Sequence, residues 1–296
     1  MNFRLLHPRT TPIAVFALWV MLAIPSISAA GPEPVNPITQ APTHAYHPGK
    51  VVWVDLVTSD IEQAADFYRK VFGWDIAISK DGAFASASYN GSPVSTLARY
   101  EDNEAPDGEA RWLISISVSD VADAAAAVKS NGGKVLEGPT DLPDRGRYVL
   151  VEDSRGALLM LLKASGGDPA DEKALDNTWL WAELWTDEPG QAVEFYKSVV
   201  GYKSKSVRDA SGDEILVLGR DNTARATVVE IPWEEVEPNW LPYLQVQDVL
   251  ATAKLAVESG GELVIAPMRD ADGSTLAIVA DPTGGVFAIQ QAGDEL

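Results

Sequence analysis

The chain of 296 residues has no cysteine and three histidines, and basic residues are few, 23 against 43 acidic ones. Without cysteine there are no disulfides and no thiol chemistry, so stability has to come from core burial. The histidines are His7, His44 and His47, all ahead of residue 50. Nothing beyond that point offers imidazole or thiolate, the usual ligands of Zn, Fe, Ni or Cu, nor the base of a Ser-His-Asp triad. A net charge of −20 repels phosphates and anionic lipid, which argues against nucleic-acid and membrane partners. Gly-rich runs such as Asn131-Gly132-Gly133 end helices instead of opening them, so they are not phosphate cradles.

What is present begins with Arg4 and Arg9, an apolar Pro12–Ile27 run broken by Pro25, and small residues through Ala30. This is the layout of a cleavable secretory signal peptide over residues 1–30. It predicts a periplasmic or secreted mature protein, with cleavage near Ala30 and no membrane attachment afterwards. Removing the segment takes away two arginines and no acid, and the net charge becomes −22. Residues 31–48 carry Pro32, Pro34, Pro37, Pro42 and Pro48 and read as a flexible tether or an extended arm.

Val51–Trp74 reads as a strand, a cap and an amphipathic helix, and it returns at Leu180–Tyr202. Placing Trp53 on Trp181 sets an offset of 128 that carries Phe67-Tyr68 onto Phe195-Tyr196 and Trp112 onto Trp240. It also carries Gly132-Gly133 onto Gly260-Gly261, and Asp153 onto Asp281. Read without a gap, it is a tandem duplication, with modules at 49–164 and 178–292 joined by a linker at 165–177. The alternation of apolar runs gives strand-helix-three-strand twice per module, an α+β fold of paired βαβββ units. One helix per three or four strands leaves one face of the sheet uncovered. Val52, Val54, Leu56, Ile114, Ile116 and Val118 are expected to pack on the helices. Trp53, Asp55, Leu113, Ser115 and Ser117 are expected on the open, concave face, with Trp181, Glu183, Trp185, Leu241, Tyr243 and Gln245 as their second-module counterparts.

The D-x-x-x-A-x-x-FY-x-x-V-x-G-[WY] helix motif and the D-P-x-G turn before the last strand resemble those of the vicinal oxygen chelate superfamily. That group holds glyoxalases, extradiol dioxygenases and bleomycin-resistance proteins, and the resemblance covers about residues 49–291. It implies the paired-βαβββ fold and a metal held by His or Glu. The implied ligand positions fall on Trp53 and Trp181, near Leu113 and Leu241, and near Met160 and Ala288, none of which binds a divalent ion. Glu230 alone matches a family ligand in type and place, with Asp102 as its counterpart by offset. No cofactor is therefore expected, although a carboxylate-only Mg or Ca site on Glu183 and Glu230 stays open.

Two acids inside strands, Asp55 and Glu183, run against strand preference. They are expected either as catalytic or anchoring carboxylates of raised pKa, or as acceptors for backbone and Trp N–H groups across the module interface. Trp53, Trp181, Trp185, Trp233 and Trp240 offer an aromatic box, with Trp112 and Trp240 better placed to pack on the helices. Tyr243, Gln245 and Gln290 are candidates for orienting a ligand. The reading favoured by the residues is a metal-independent binder of an apolar, aromatic or cationic small molecule, monomeric through pairing of its own modules. The alternative is a glyoxalase-like lyase or isomerase, or a dioxygenase-related enzyme, using cleft carboxylates or an atypical metal.

Overall fold

The computed structural model describes residues 37–100, 110–208, 214–231, 233, 236–269 and 274–291. The segment expected as a signal peptide, with His7, the first residues of the expected arm, and Asp102 lie outside them. The first half runs β1 (Val51–Thr58), α1 (Ile61–Phe72), β2 (Asp75–Ile78), β3 (Phe84–Tyr89), β4 (Ser92–Arg99), β5 (Arg111–Ser117), α2 (Val121–Ser130), β6 (Lys134–Leu142), β7 (Gly146–Glu152) and β8 (Leu158–Ala164). The second half repeats this as β9 (Trp179–Thr186), α3 (Pro189–Val200), β10 (Lys203–Arg208), β11 (Glu214–Arg220), β12 (Thr223–Glu230), β13 (Asn239–Gln245), α4 (Val249–Glu258), β14 (Glu262–Arg269), β15 (Thr275–Ala280) and β16 (Val286–Gln291). Each half builds one eight-stranded sheet, ordered β2-β3-β4-β1-β5-β8-β7-β6 and β10-β11-β12-β9-β13-β16-β15-β14. This is the α+β arrangement of paired βαβββ units.

Local chemistry sets the elements. The Asp60 carboxylate accepts from the Gln63 amide and opens α1, and Gly73 closes it; Asp120 and Asp248 cap α2 and α4 in the same way. The apolar stripe of α1, Ile61, Ala64, Ala65, Phe67, Tyr68, Val71 and Phe72, is buried. It does not end on its own sheet. One continuous core runs through both modules, joining Leu56, Phe67, Trp112 and Ile114 to Leu184, Phe195, Trp240 and Phe287. The helices lie between the two sheets, which turn their other faces outward.

The repeated motifs are what bolt the modules together. The Tyr68 hydroxyl donates to Asp281 Oδ2 at 2.6 Å, and that of Tyr196 donates to Asp153 Oδ2 at 2.9 Å. Trp112 and Trp240 donate their indole N–H to the same two hydroxyls, at 3.1 and 2.8 Å. A Cβ at Gly261 would stand 2.9 Å from the Phe67 ring, and one at Gly133 would stand 2.8 Å from the Phe195 ring. The second glycine of each pair therefore lets the opposite module's phenylalanine close in. Burial and the facing aspartates push the Tyr68 and Tyr196 phenols well up, so both remain donors.

Two expectations from the sequence are corrected. The first concerns strand alternation. Pairing of β1 with β5 slips between Val51 and Trp53, and pairing of β9 with β13 slips between Trp179 and Trp181. The bulge carries Val52 to the cleft side beside Trp53 and leaves Val51 against the main core. The second concerns the offset, which is not free of gaps. Thr58 pairs with Arg99 and Thr186 with Glu230, so Arg99 and not Asp102 is the counterpart of Glu230. Three residues enter between β10 and β11 and leave again before β13, where Leu113 opposite Asp55 and Leu241 opposite Glu183 restore 128.

Candidate functional site

At the expected cleft positions the outward faces carry two side-chain clusters apart from the shared core, a first and a second cleft, and they differ. In the first, Asp55 is buried in mid-sheet and Trp53 donates to its Oδ1 at 2.9 Å. The turn between β6 and β7 folds Arg145 over the sheet. Its guanidinium reaches Asp55 Oδ1 at 3.1 Å and Thr96 Oγ1 at 2.6 Å, and it lies 4.7 Å from the centre of the Trp53 ring. Arg145 is only 3 % exposed, so this is a buried ion pair. Burial raises the Asp55 pKa above 3.8, and the charge and hydrogen bond of Arg145 work against that rise. Beside it, Tyr148 donates to Glu137 Oε1, and burial with that carboxylate pushes the phenol up.

The first cleft is also filled. Ile38 of the arm is buried against Val52, Trp53, Tyr148, Leu162 and Ala164. From Thr43 onward the arm is pinned. The amides of Thr43 and His44 bond Gly166 O at 2.9 and 3.0 Å, and the His47 amide meets the buried Asp168 carboxylate at 2.6 Å. Residues 37–48 form no helix or strand, with bends at 38–41.

The second cleft has the same acid in a different setting. Glu183 is half-buried and accepts from Trp185 Nε1 at 2.8 Å, Tyr243 OH at 3.0 Å and Thr227 Oγ1 at 2.8 Å. All three donors are neutral, and among the described residues no cation pairs with Glu183. In the sequence, the 128-residue offset puts Gly273 opposite Arg145. Trp181 adds its indole N–H to Thr227 at 3.1 Å, and Trp233, 42 % exposed, faces Trp185 at 5.6 Å between ring centres. Trp181, Trp185, Leu241 and Tyr243 line the cleft as their alternation predicts.

The remaining candidates are engaged elsewhere. Gln245 donates to Asp176 of the linker at 3.1 Å, and Gln290 donates to Ser274 at 3.2 Å. Trp240 is in the inter-module core. Glu230 is exposed at the end of β12, in register with Thr186 and so on the face turned from Glu183. Asp55 and Glu183 do take indole N–H groups, but from tryptophans of their own strand, not across the interface. Arg145 escaped the sequence reading because it sits in an Asp-Arg-Gly turn, where no periodicity marks a direction.

The structure also bears on the metal implied by the fold. Trp53, Leu113 and Met160, with Trp181, Leu241 and Ala288, hold the implied ligand positions and offer neither imidazole nor carboxylate. No group of three or more His, Asp or Glu comes together among the described residues. Asp55 is taken up by Arg145, and Glu230 lies on the face turned from Glu183. These residues do not fit a family-type metal site.

Comparison with known proteins gives a consistent picture. The sequence profile of the Glyoxalase/Bleomycin resistance protein/Dioxygenase superfamily matches residues 50–161. CFP32 of Mycobacterium tuberculosis, named as a candidate glyoxylase, is 32 % identical over 249 residues, covering 82 % of this chain and 95 % of CFP32. The anthracycline biosynthesis protein DauV of a Streptomyces species is 27 % identical over 259 residues, covering 82 % and 94 %. Among solved structures, the Mn(II)-bound glyoxalase of Novosphingobium aromaticivorans superposes with a TM-score of 0.58 at 21 % identity, covering 84 % of this chain and 83 % of its own. Homoprotocatechuate 2,3-dioxygenase of Brevibacterium fuscum gives 0.60 at 13 %, covering 89 % and 84 %. With its two eight-stranded sheets, its duplicated motifs and these relatives, the chain belongs to the glyoxalase/bleomycin resistance protein/dioxygenase superfamily.

Proposed function

We propose that the protein binds a small molecule with an aromatic or apolar body and a cationic centre, in the second cleft and without the family metal. The observation that carries this reading is the state of Glu183. It is a half-buried carboxylate held by three neutral donors, with no counter-cation among the described residues and three tryptophans around it. A quaternary or protonated amine placed over indole faces gains cation–π attraction, and it gains the carboxylate's charge as well. Asp55 in the first cleft lacks this capacity because Arg145 already neutralises it.

The test uses benzyltrimethylammonium and its neutral isostere neopentylbenzene, with binding read at the indole N–H resonances of Trp181 and Trp185. The cation should bind more tightly, and Glu183→Gln should weaken it by about 10- to 100-fold, the worth of a hydrogen-bonded charge at about 1.5–3 kcal/mol. Equal affinity for the two probes, no binding of either, or an indifferent Glu183→Gln would set the reading aside.

A second reading, a glyoxalase-like lyase or isomerase with Glu183 as base, is favoured by the name of CFP32. Loss of turnover in Glu183→Gln with affinity retained would bring it forward.

A further inference from the structure

The two clefts share a fold and a bulge, yet the first is closed from two sides. Arg145 folds in from the β6–β7 turn, and Ile38 enters from the arm. The side chain of Ile38 has the features of a bound ligand more than of a core residue. It is 5 % exposed, but its cluster is separate from the inter-module core that holds the fold together. The segment bearing it has no strand or helix of its own. Downstream, Thr43 Oγ1 bonds Asp168 O at 2.8 Å, the Asp168 amide bonds Ala45 O at 2.7 Å, and Ser117 Oγ meets the Asp168 carboxylate at 2.6 Å. These contacts tether the arm at Thr43–His47 and hold Ile38 at high effective concentration over the cleft.

We propose that the first cleft is a second binding site, for a neutral branched-aliphatic group, and that Ile38 is its built-in occupant. Apolar surfaces of Val52, Trp53, Tyr148, Leu162 and Ala164 form the walls. Asp55 and Arg145 at the floor are already paired internally, Asp55 with Arg145 and Trp53, and Arg145 with Thr96. The Asp55 charge is already taken by Arg145, which sets the class apart from the cation proposed for the second cleft; beside the walls, Glu137 accepts from Tyr148 through Oε1, and its buried Oε2 has no hydrogen-bond partner among the described residues. The two proposals stand on different residues, and either can fail alone.

The experiment uses the full chain and its Ile38→Asp variant, which sets a carboxylate against the apolar walls of Val52, Leu162 and Ala164 and so expels the segment that bears it. Each is titrated with the free peptide of residues 37–43, PITQAPT, and separately with 3-methyl-1-butanol. Binding is followed at the methyl resonances of Leu162 and Val52, which lie in the first cleft only. The variant should remain folded and bind both probes saturably. The wild type should bind each at least about tenfold more weakly, as expected where the arm leaves the cleft open in a tenth of molecules or fewer. A folded variant that binds neither probe, or a wild type that binds them equally well, would overturn the proposal. So would global unfolding of the variant, because Ile38 would then be part of the core and not an occupant.

Discussion

At the scale of single residues, the informative contrast is between two acids at equivalent positions. Asp55 has a buried guanidinium beside it, and Glu183 has only indole, hydroxyl and phenol donors. Removing Arg145 leaves Asp55 buried with its charge unpaired, a situation that costs about 3–5 kcal/mol when one partner of a buried pair is lost. Arg145→Met, which retains bulk, should therefore lower Tm clearly at neutral pH. The pH dependence has a definite sign. The pKa of folded Asp55 lies above 3.8 through burial, so between those two values the folded state keeps a proton that the unfolded state releases. Stability from this group falls as pH rises through that window and stays low above it. Losing the arginine removes its lowering influence, which pushes the folded value higher and widens the window upward. The deficit of Arg145→Met against wild type should be largest near pH 7 and shrink towards pH 4. A deficit that is constant, or that grows on acidification, would show that the pair is not what Arg145 supplies.

At the scale of elements, the strands and helices were largely legible. Period-two and helical spacing are set by side-chain geometry, and they placed β1, α1 and the cleft face from Trp53 and Asp55 onward. The bulge at Val52 was not legible, since one extra residue leaves no mark on a short apolar run. Nor was the three-residue insertion before β11, because a hairpin's length is not fixed by the pattern of its strands. The Phe-Tyr pair, the Gly-Gly pair and the Asp of the last turn were visible as repeats, but their joint purpose was not. Tyr68 and Asp281 are 213 positions apart, and only the fold brings them together. Each bolt can be tested as a unit. Tyr68→Phe leaves Asp281 without a 2.6 Å donor and Trp112 without its acceptor, and Tyr196→Phe does the same to Asp153 and Trp240. A hydrogen bond to a charged group contributes about 1.5–3 kcal/mol, so each change should destabilise the whole chain by roughly that amount in denaturant titration. A loss confined to one module, seen as a second transition, would contradict a shared bolt.

For the whole molecule, the helices of each module find their partners in the other. Phe67 packs with Phe287, their ring centres 6.5 Å apart, and Trp112 lies 4.8 Å from Trp179. The apolar face of α1 and that of α3 are halves of one core, and hydrophobic burial is the main term that stabilises a domain of this size. Separating the modules would expose both halves at once, so neither is expected to outlast the other. Calorimetric unfolding should therefore give a single transition with matching calorimetric and van't Hoff enthalpies. The outward clefts take no part in that core, which leaves them free to diverge: one closed by Arg145 and Ile38, the other lined by Trp181, Trp185 and Glu183. Ligand binding in the second cleft should raise the temperature of that one transition without splitting it, since the bound state of either cleft belongs to the same folded unit. Two resolved transitions, with the ligand shifting only the upper or lower one, would mean that the bolts and the shared core do not couple the modules.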